Sequence, residues 1–316
     1  MPTYTHFDPE HQPQPFSQVF RWAVLDRLTG RRKVAPPGPP APRVAPDLER
    51  LQQRAAEPRV TWIGHASFLG QLGGASVLID PVFSRALSGV FRRYVAPGLA
   101  PEQLPPIDAL LISHSHRDHL DEPSVLRLPR STPVVVPLGL DSWFRRRGFE
   151  QVTELGWWDA VEVAGLKVTA TPARHWSRRG FMDLNHSLWC GYLLESESGN
   201  LYHAGDSGSF PGFREIGARF PDIQVALMPI GAYRPAWFME PNHMNPEQAA
   251  QAFLELGARY LVPMHWGTFQ LTDEPISEPI ERLRAWWRQH SPAGRHLREL
   301  AVGATLDLAA EGSGSG

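Results

Sequence analysis

The sequence predicts an α/β fold, and three observations carry the prediction. Short apolar runs of strand length alternate with stretches of helical length along most of the chain. Turn signals punctuate them, with Gly73-Gly74 between two strand-like runs and Asp80-Pro81 closing a third. Histidines and aspartates suited to chemistry stand at the exits of strand-like runs, where α/β proteins place their reactive groups.

Taken in order, residues 1–45 are polar and proline-rich, ending in Ala35-Pro36-Pro37-Gly38-Pro39-Pro40-Ala41-Pro42. Apolar spacing over 16–28 fits a short helix, and the segment is expected to be an arm packed on the main domain through a polyproline-like connector. The main domain is assigned to 46–310. Its first strands are expected at 60–63, 67–72 and 75–79. Residues 82–104, with Arg85, Arg92, Arg93, Tyr94 and Val95, form a long loop that is either functional or disordered. A strand over 109–112 is followed by a helix beginning near Glu122, a strand over 133–137 and a helix over 141–147. Strands are expected near 152–154, 158–164, 166–171, 187–195 and 200–204, helices near 212–219, 246–256 and 276–289, and a closing strand over 300–308. Asn245-Pro246-Glu247 is a well-formed helix start: Asn caps, Pro takes the first turn and Glu favours the dipole. The Gly-Ser run at 311–316 is read as a terminal linker outside the fold.

Composition narrows the function. The chain has 316 residues, 42% of them hydrophobic and 20% charged, which suits a well-cored globular protein. A net charge of -2 offers no field that would gather nucleic acid. The single cysteine, Cys190, allows no intrachain disulfide; it fits a reducing compartment and reads as a small core residue. No basic-then-apolar leader opens the chain, and no apolar run approaches the roughly 20 residues that span a bilayer. A cytoplasmic location is expected, with membrane association left open.

The most informative segment is His114-Ser115-His116-Arg117-Asp118-His119, at the exit of the strand-like run 107–112. Imidazole nitrogen and carboxylate oxygen together suit zinc and its first-row neighbours. An extended His-x-His directs His114 and His116 to one face, and a turn carries Asp118 and His119 to the other, so two metals sharing the loop satisfy the segment better than one. His175, Asp206 and His265 each follow a further strand-like run, at 166–174, 201–205 and 260–264.

This order of His-x-His-x-Asp-His, His, Gly-Asp and a late His resembles the metallo-β-lactamase superfamily of binuclear hydrolases. The resemblance implies a four-layer αββα sandwich. It also implies that His114, His116 and His175 hold one metal, that Asp118, His119 and His265 hold the other, and that Asp206 bridges them. Two zinc ions per chain are the expected cofactor, with manganese or iron accepting the same donors. Further blocks are similar to the branch containing N-acyl-phosphatidylethanolamine-hydrolysing phospholipase D: 61–67 (Thr-Trp-Ile-Gly-His-Ala-Ser), 104–109, 136–140, Trp157-Trp158, 229–233, 237–239, 243–247 and 265–269, with a looser fit at 20–22.

The resemblance implies a phosphodiesterase that uses a hydroxide shared by the metals. Asp118 or the bridging Asp206 is expected to orient that hydroxide, with Asp118 favoured, and His243 to donate a proton to the leaving group or bind phosphate. His65 is expected to support the metals from beneath. Arg174 is expected to pair with a phosphate or with an acidic partner inside the protein, and Tyr233 and Arg234 to lie on a loop that lines the cleft. No Gly-x-Ser-x-Gly elbow competes for the role of nucleophile. The expected substrate is a phospholipid or other small molecule, with peripheral membrane contact through 82–104 and Trp237-Phe238-Met239. The alternative is a soluble substrate such as a sugar lactone or a cyclic phosphate. A lipid calls for an apolar trough beside the metals and a lactone for a closed polar pocket. The sequence leaves a homodimer open.

Overall fold

The structure, a computed structural model, describes residues 3–8, 17–18, 21–180 and 182–313. Strands β1 (Arg59–Gly64), β2 (Ser67–Leu72), β3 (Ala75–Ile79), β4 (Ala86–Leu87), β5 (Phe91–Arg92), β6 (Ala109–Leu111), β7 (Val134–Pro137) and β8 (Val152–Leu155) occupy the first half. The second half contains β9 (Ala160–Val163), β10 (Leu166–Thr171), β11 (Gly191–Ser196), β12 (Gly199–His203), β13 (Val225–Pro229), β14 (Tyr260–Met264), β15 (His296–Leu297) and β16 (Thr305–Asp307). One seven-stranded sheet runs β16-β1-β2-β3-β6-β7-β8 and a second runs β15-β14-β13-β12-β11-β10-β9; β4 and β5 form a separate hairpin.

Side-chain alternation explains why the sheets stack. Phe68, Leu72, Val77 and Ile79 point into one core with Tyr192, Leu194 and Leu201 of the second sheet. Their neighbours Leu69 and Leu78 point the other way, into a second core with Leu51, Val125 and Phe144. Those three belong to helices α1 (Leu48–Gln52), α2 (Glu122–Val125) and α3 (Asp141–Arg145). Helices α4 (Gly212–Arg219), α6 (Pro246–Leu256) and α7 (Glu278–His290) contribute Phe213, Phe253 and Leu283 to the main core from beyond the second sheet. The architecture is the αββα sandwich of the metallo-β-lactamase fold. Sheets covered on both faces also account for the uninterrupted burial of β1, β2, β3, β13 and β14.

The capped start of α6 is as expected: Asn245 accepts from the Gln248 backbone N–H at 2.9 Å, and Gln248 Oε1 accepts from the Asn245 N–H at 3.0 Å. Other expectations need correction. The strand expected over 187–195 begins only at Gly191, because Leu188 and Cys190 donate to Leu138 and Ser113 on the other sheet's loops. The closing strand is confined to β16, and a helix, Leu308–Ser313, takes in Glu311 to Ser313 of the expected linker. β13 was not expected; a continuous apolar run five residues long has no alternation to mark it. The short helix α5 (Ala236–Met239) is likewise additional.

Arm residues Arg21–Leu25 form a π-turn that continues into a helical turn, Asp26–Leu28, while Phe16 and Phe20 of the expected arm helix lie outside the described residues. The 82–104 loop is ordered around Arg93, whose guanidinium donates to the carbonyls of Val82 and Ser84 and lies 4.7 Å from the Phe269 ring centroid.

Candidate metal centre

The seven sequence-derived candidates arrive from three loops and a turn at one end of the paired sheets. His114, His116, Asp118 and His119 follow β6, His175 follows β10, Asp206 follows β12 and His265 follows β14. Ligand atoms of His114, His116 and His175 lie within 4.8 Å of one another, as do those of His114, His119 and Asp206 and those of Asp118, His119, His265 and His65. Asp206 occupies the middle: its Oδ2 is 3.2 Å from Nε2 of both His119 and His265, 3.8 Å from that of His175 and 3.9 Å from that of His114.

The rings are aimed inward by partners behind them. His119 Nδ1 meets Asp80 Oδ2 at 2.7 Å, His114 Nδ1 meets Ser113 Oγ at 3.0 Å, and His175 Nδ1 meets the Asn242 carbonyl at 3.0 Å. Each outer nitrogen is thereby occupied and each Nε2 turned to the centre, the arrangement that orients imidazole ligands. Asp80 is itself locked, accepting from the Ser113 backbone N–H at 2.7 Å and from Ser113 Oγ at 2.5 Å.

Electrostatics divide the cluster. Burial pushes the His114 and His175 imidazoles well below the usual range and His116 down to about 4, so this trio is neutral, the ligating form. Burial opposes charge on His119 and His265 as well, but Asp206 and Asp118 outweigh it, raising His119 well above its ordinary value and His265 to about 9. Burial likewise opposes ionisation of Asp118 and Asp206, yet the neighbouring His119 and His265 imidazoles hold both carboxyls well below the usual range.

The residues fit a metal centre. Three imidazole nitrogens, His116 Nδ1 with His114 Nε2 and His175 Nε2, converge at 3.0 and 3.1 Å. His116 Nε2, His119 Nε2, His265 Nε2 and Asp206 Oδ1 are buried without a hydrogen-bond partner among the described residues. Buried polar atoms left so cost about 1–3 kcal/mol each. Imidazole and carboxylate donors in this arrangement suit zinc and its neighbours.

Around this cluster, His65 lies in the β1–β2 turn with Nε2 3.0 Å from Asp118 Oδ2, and its ring packs 4.0 Å from that of His265. Burial takes His65 down to about 3. His243 stands beside Asp206, with its Nδ1 4.0 Å from Oδ2, and burial takes it down to about 4. Arg174 takes the acidic-partner alternative, and the Tyr233 and Arg234 side chains turn to Glu278. Arg174 donates to the Ser209 carbonyl and lies 3.7 Å from Asp8, while the Tyr233 hydroxyl and the Arg234 guanidinium both engage Glu278 at 2.7 Å.

Sequence reading passed over Asp80 as a strand end and did not consider Arg178, which lines the cavity next to the cluster. The signal for Asp80 was present: it exits β3 beside the strand that leads to the His114 loop.

The fold and the site together define a class, the metal-dependent hydrolases built on the metallo-β-lactamase sandwich. The match to the model of the β-lactamase superfamily domain covers residues 75–266, and the chain belongs to this family. It is 38% identical to an uncharacterised protein of Mycobacterium tuberculosis over 83% of this chain and 72% of that one. It is 37% identical to N-acyl-phosphatidylethanolamine-hydrolyzing phospholipase D 1 of Caenorhabditis elegans over 71% of this chain and 68% of the relative. A solved structure of a possible metal-dependent hydrolase from Veillonella parvula shares the fold at a TM-score of 0.65 and 19% identity, over 80% of this chain and 100% of that one.

Proposed function

We propose that the chain is a binuclear phosphodiesterase, of the kind named in its nematode relative, that hydrolyses a lipid phosphodiester with zinc as the preferred metal. The observation that carries this reading is a cavity of about 320 Å³ that opens directly from His116, Asp118, Asp206, His243 and His265. Its remaining wall is largely apolar, with Trp22, Phe91, Trp176, Leu184, Phe238 and Met239, and Arg178 adds a cation. A lactone or other small polar substrate gains little from such a wall, whereas acyl chains gain about 0.8 kcal/mol per buried methylene.

In this reading His114, His116 and His175 hold one ion, Asp118, His119 and His265 hold the other, and Asp206 serves both. When bound, such ions acidify water toward a pKa of roughly 7 and neutralise charge on a phosphate. Asp118 orients the attacking water, and His65 fixes Asp118 by donating to Oδ2. His243, on the cavity side of Asp206, is the group placed to hydrogen-bond the phosphate or the leaving oxygen. Val90, Phe91, Met182 and Leu184 are exposed, and Phe91 and Leu184 also line the cavity, a distribution that supports peripheral contact with a lipid surface. Among the described residues no helix is long and apolar enough to cross a membrane.

The test is elemental analysis of the purified protein together with hydrolysis of an N-acyl-phosphatidylethanolamine, a soluble phosphodiester, a cyclic phosphate and a sugar lactone. The expected result is two metals per chain and turnover of the lipid diester, both abolished by Asp206→Ala. Turnover of the lactone alone would replace this reading.

A further inference from the structure

We propose that the N-terminal arm builds one wall of the substrate cavity, that Trp22 on this arm sets the length of apolar chain the cavity accepts, and that Asp273 latches it there. This rests on the reading of the cavity as a trough for the apolar part of a substrate. Among the described residues lining the cavity, Trp22 is the only one that precedes Phe91 in sequence; the rest of the wall comes from the main domain.

The indole is gripped on both faces. Its ring stacks on that of Phe238, itself a wall residue, with centroids 5.2 Å apart and planes 27° apart. The Arg32 guanidinium carbon lies 3.9 Å from the Trp22 ring centroid. The edge is pinned by one carboxylate: Trp22 Nε1–H donates to Asp273 Oδ2 at 3.1 Å, and Arg32 Nε–H donates to Asp273 Oδ1 at 2.6 Å. Backbone contacts extend the latch, with Ala35 N–H donating to the Asp273 carbonyl at 2.9 Å and Gln270 Nε2 donating to the Ala35 carbonyl at 2.8 Å. Asp273 directly follows Leu271 and Thr272, which line the same cavity, in the segment that continues from His265.

The aliphatic side chains that follow Trp22 in the helical stretch are not used this way. Val24, Leu25 and Leu28 are exposed, Leu28 to 80%. A stretch docked for core stability would bury its aliphatic residues; here Trp22 is inserted into the cavity wall while Val24, Leu25 and Leu28 are left in solvent. An immobilised indole is a suitable chain-length gauge, because it adds apolar contact at little cost in side-chain freedom.

The experiment measures binding of hexyl-, octyl- and decylphosphocholine to the full-length, metal-loaded protein by calorimetry, below their micelle thresholds. Wild type is expected to gain affinity with each lengthening. Trp22→Ala is expected to cut decyl affinity about tenfold, the scale on which apolar pockets discriminate, so that the gain from hexyl to decyl shrinks by that factor while hexyl affinity and metal content are unchanged. Trp22→Phe, which keeps a ring without the Nε1–H, is expected to retain part of the gain and carries the test should the alanine variant not fold. Asp273→Ala is expected to match Trp22→Ala, and the double variant to be no worse than either single one, because both act through one contact.

A chain-length gain undiminished in Trp22→Ala overturns the proposal while leaving the trough intact. Additive losses for the two sites overturn the latch. A wild type without any gain overturns both the proposal and the trough. If the gain depends on Trp22 but no phosphodiester is hydrolysed, the proposal stands and the reaction assigned above falls.

Discussion

Asp80 holds His119 from behind: Oδ2 of a fully buried carboxylate sits 2.7 Å from Nδ1, on the side of the ring away from Asp206. The pair joins β3 to the loop after β6, two parallel neighbours in the first sheet, so backbone pairing sets the distance between them. An imidazole ligand oriented this way needs no rearrangement to bind a cation.

Replacing Asp80 with alanine is therefore expected to lower metal affinity about 10–100-fold, with His119 free to rotate. Chelator competition on the purified variant measures this directly. An Asp80→Ala protein as resistant to chelator as wild type would remove the orienting role.

His243 lies within metal-sharing distance of His175 and Asp206, yet the proposed ligand set does without it. His243→Ala is expected to keep its metal and lose about a hundredfold or more in kcat. Metal analysis and turnover on the same sample separate the two effects; loss of one equivalent of metal would make His243 a ligand instead.

Gly205 aims Asp206 at the cluster. Its φ is +60°, and a Cβ there would lie 2.5 Å from the Cys190 carbonyl oxygen. Gly205→Ala is expected to cost at least about 1–2 kcal/mol from the left-handed backbone alone and to displace Asp206. Urea unfolding and metal content are expected to fall together.

Acid sensitivity away from the site is expected at Asp307, which accepts from Arg59 Nε at 2.9 Å and from Arg50 Nη2 at 2.7 Å. Burial opposes its ionisation, but the two guanidinium groups outweigh burial and hold the carboxyl below its usual range. A depressed carboxyl stabilises the fold above its unfolded pKa of about 3.9, and this contribution is lost as pH falls through the lower folded value. Urea midpoints of wild type are expected to drop over that interval more steeply than those of Asp307→Asn, which has no such proton to bind.

Much of this protein was legible before its coordinates were. The 114–119 segment, His175, Asp206 and His265 stood out because ligand-type residues at strand exits need only local pattern to be noticed. The strands over 59–79 and the capped start of α6 were legible for the same reason: turns and caps are local. β13 was hidden because a strand buried on both faces carries no period. Asp80 was hidden because an aspartate at a strand end has an ordinary structural reading until its neighbour across the sheet is known.

The sequence by itself determined the chemical inventory: which donors are present, in what order, and on the exits of which strands. Only the tertiary structure decided what surrounds them. It turned Arg174 to Asp8 and Arg234 to Glu278, placed Arg178 on the cavity, and brought Trp22 across some 250 positions to Asp273. Donor type is a property of one residue, whereas orientation and neighbourhood are products of packing between segments that no local pattern connects.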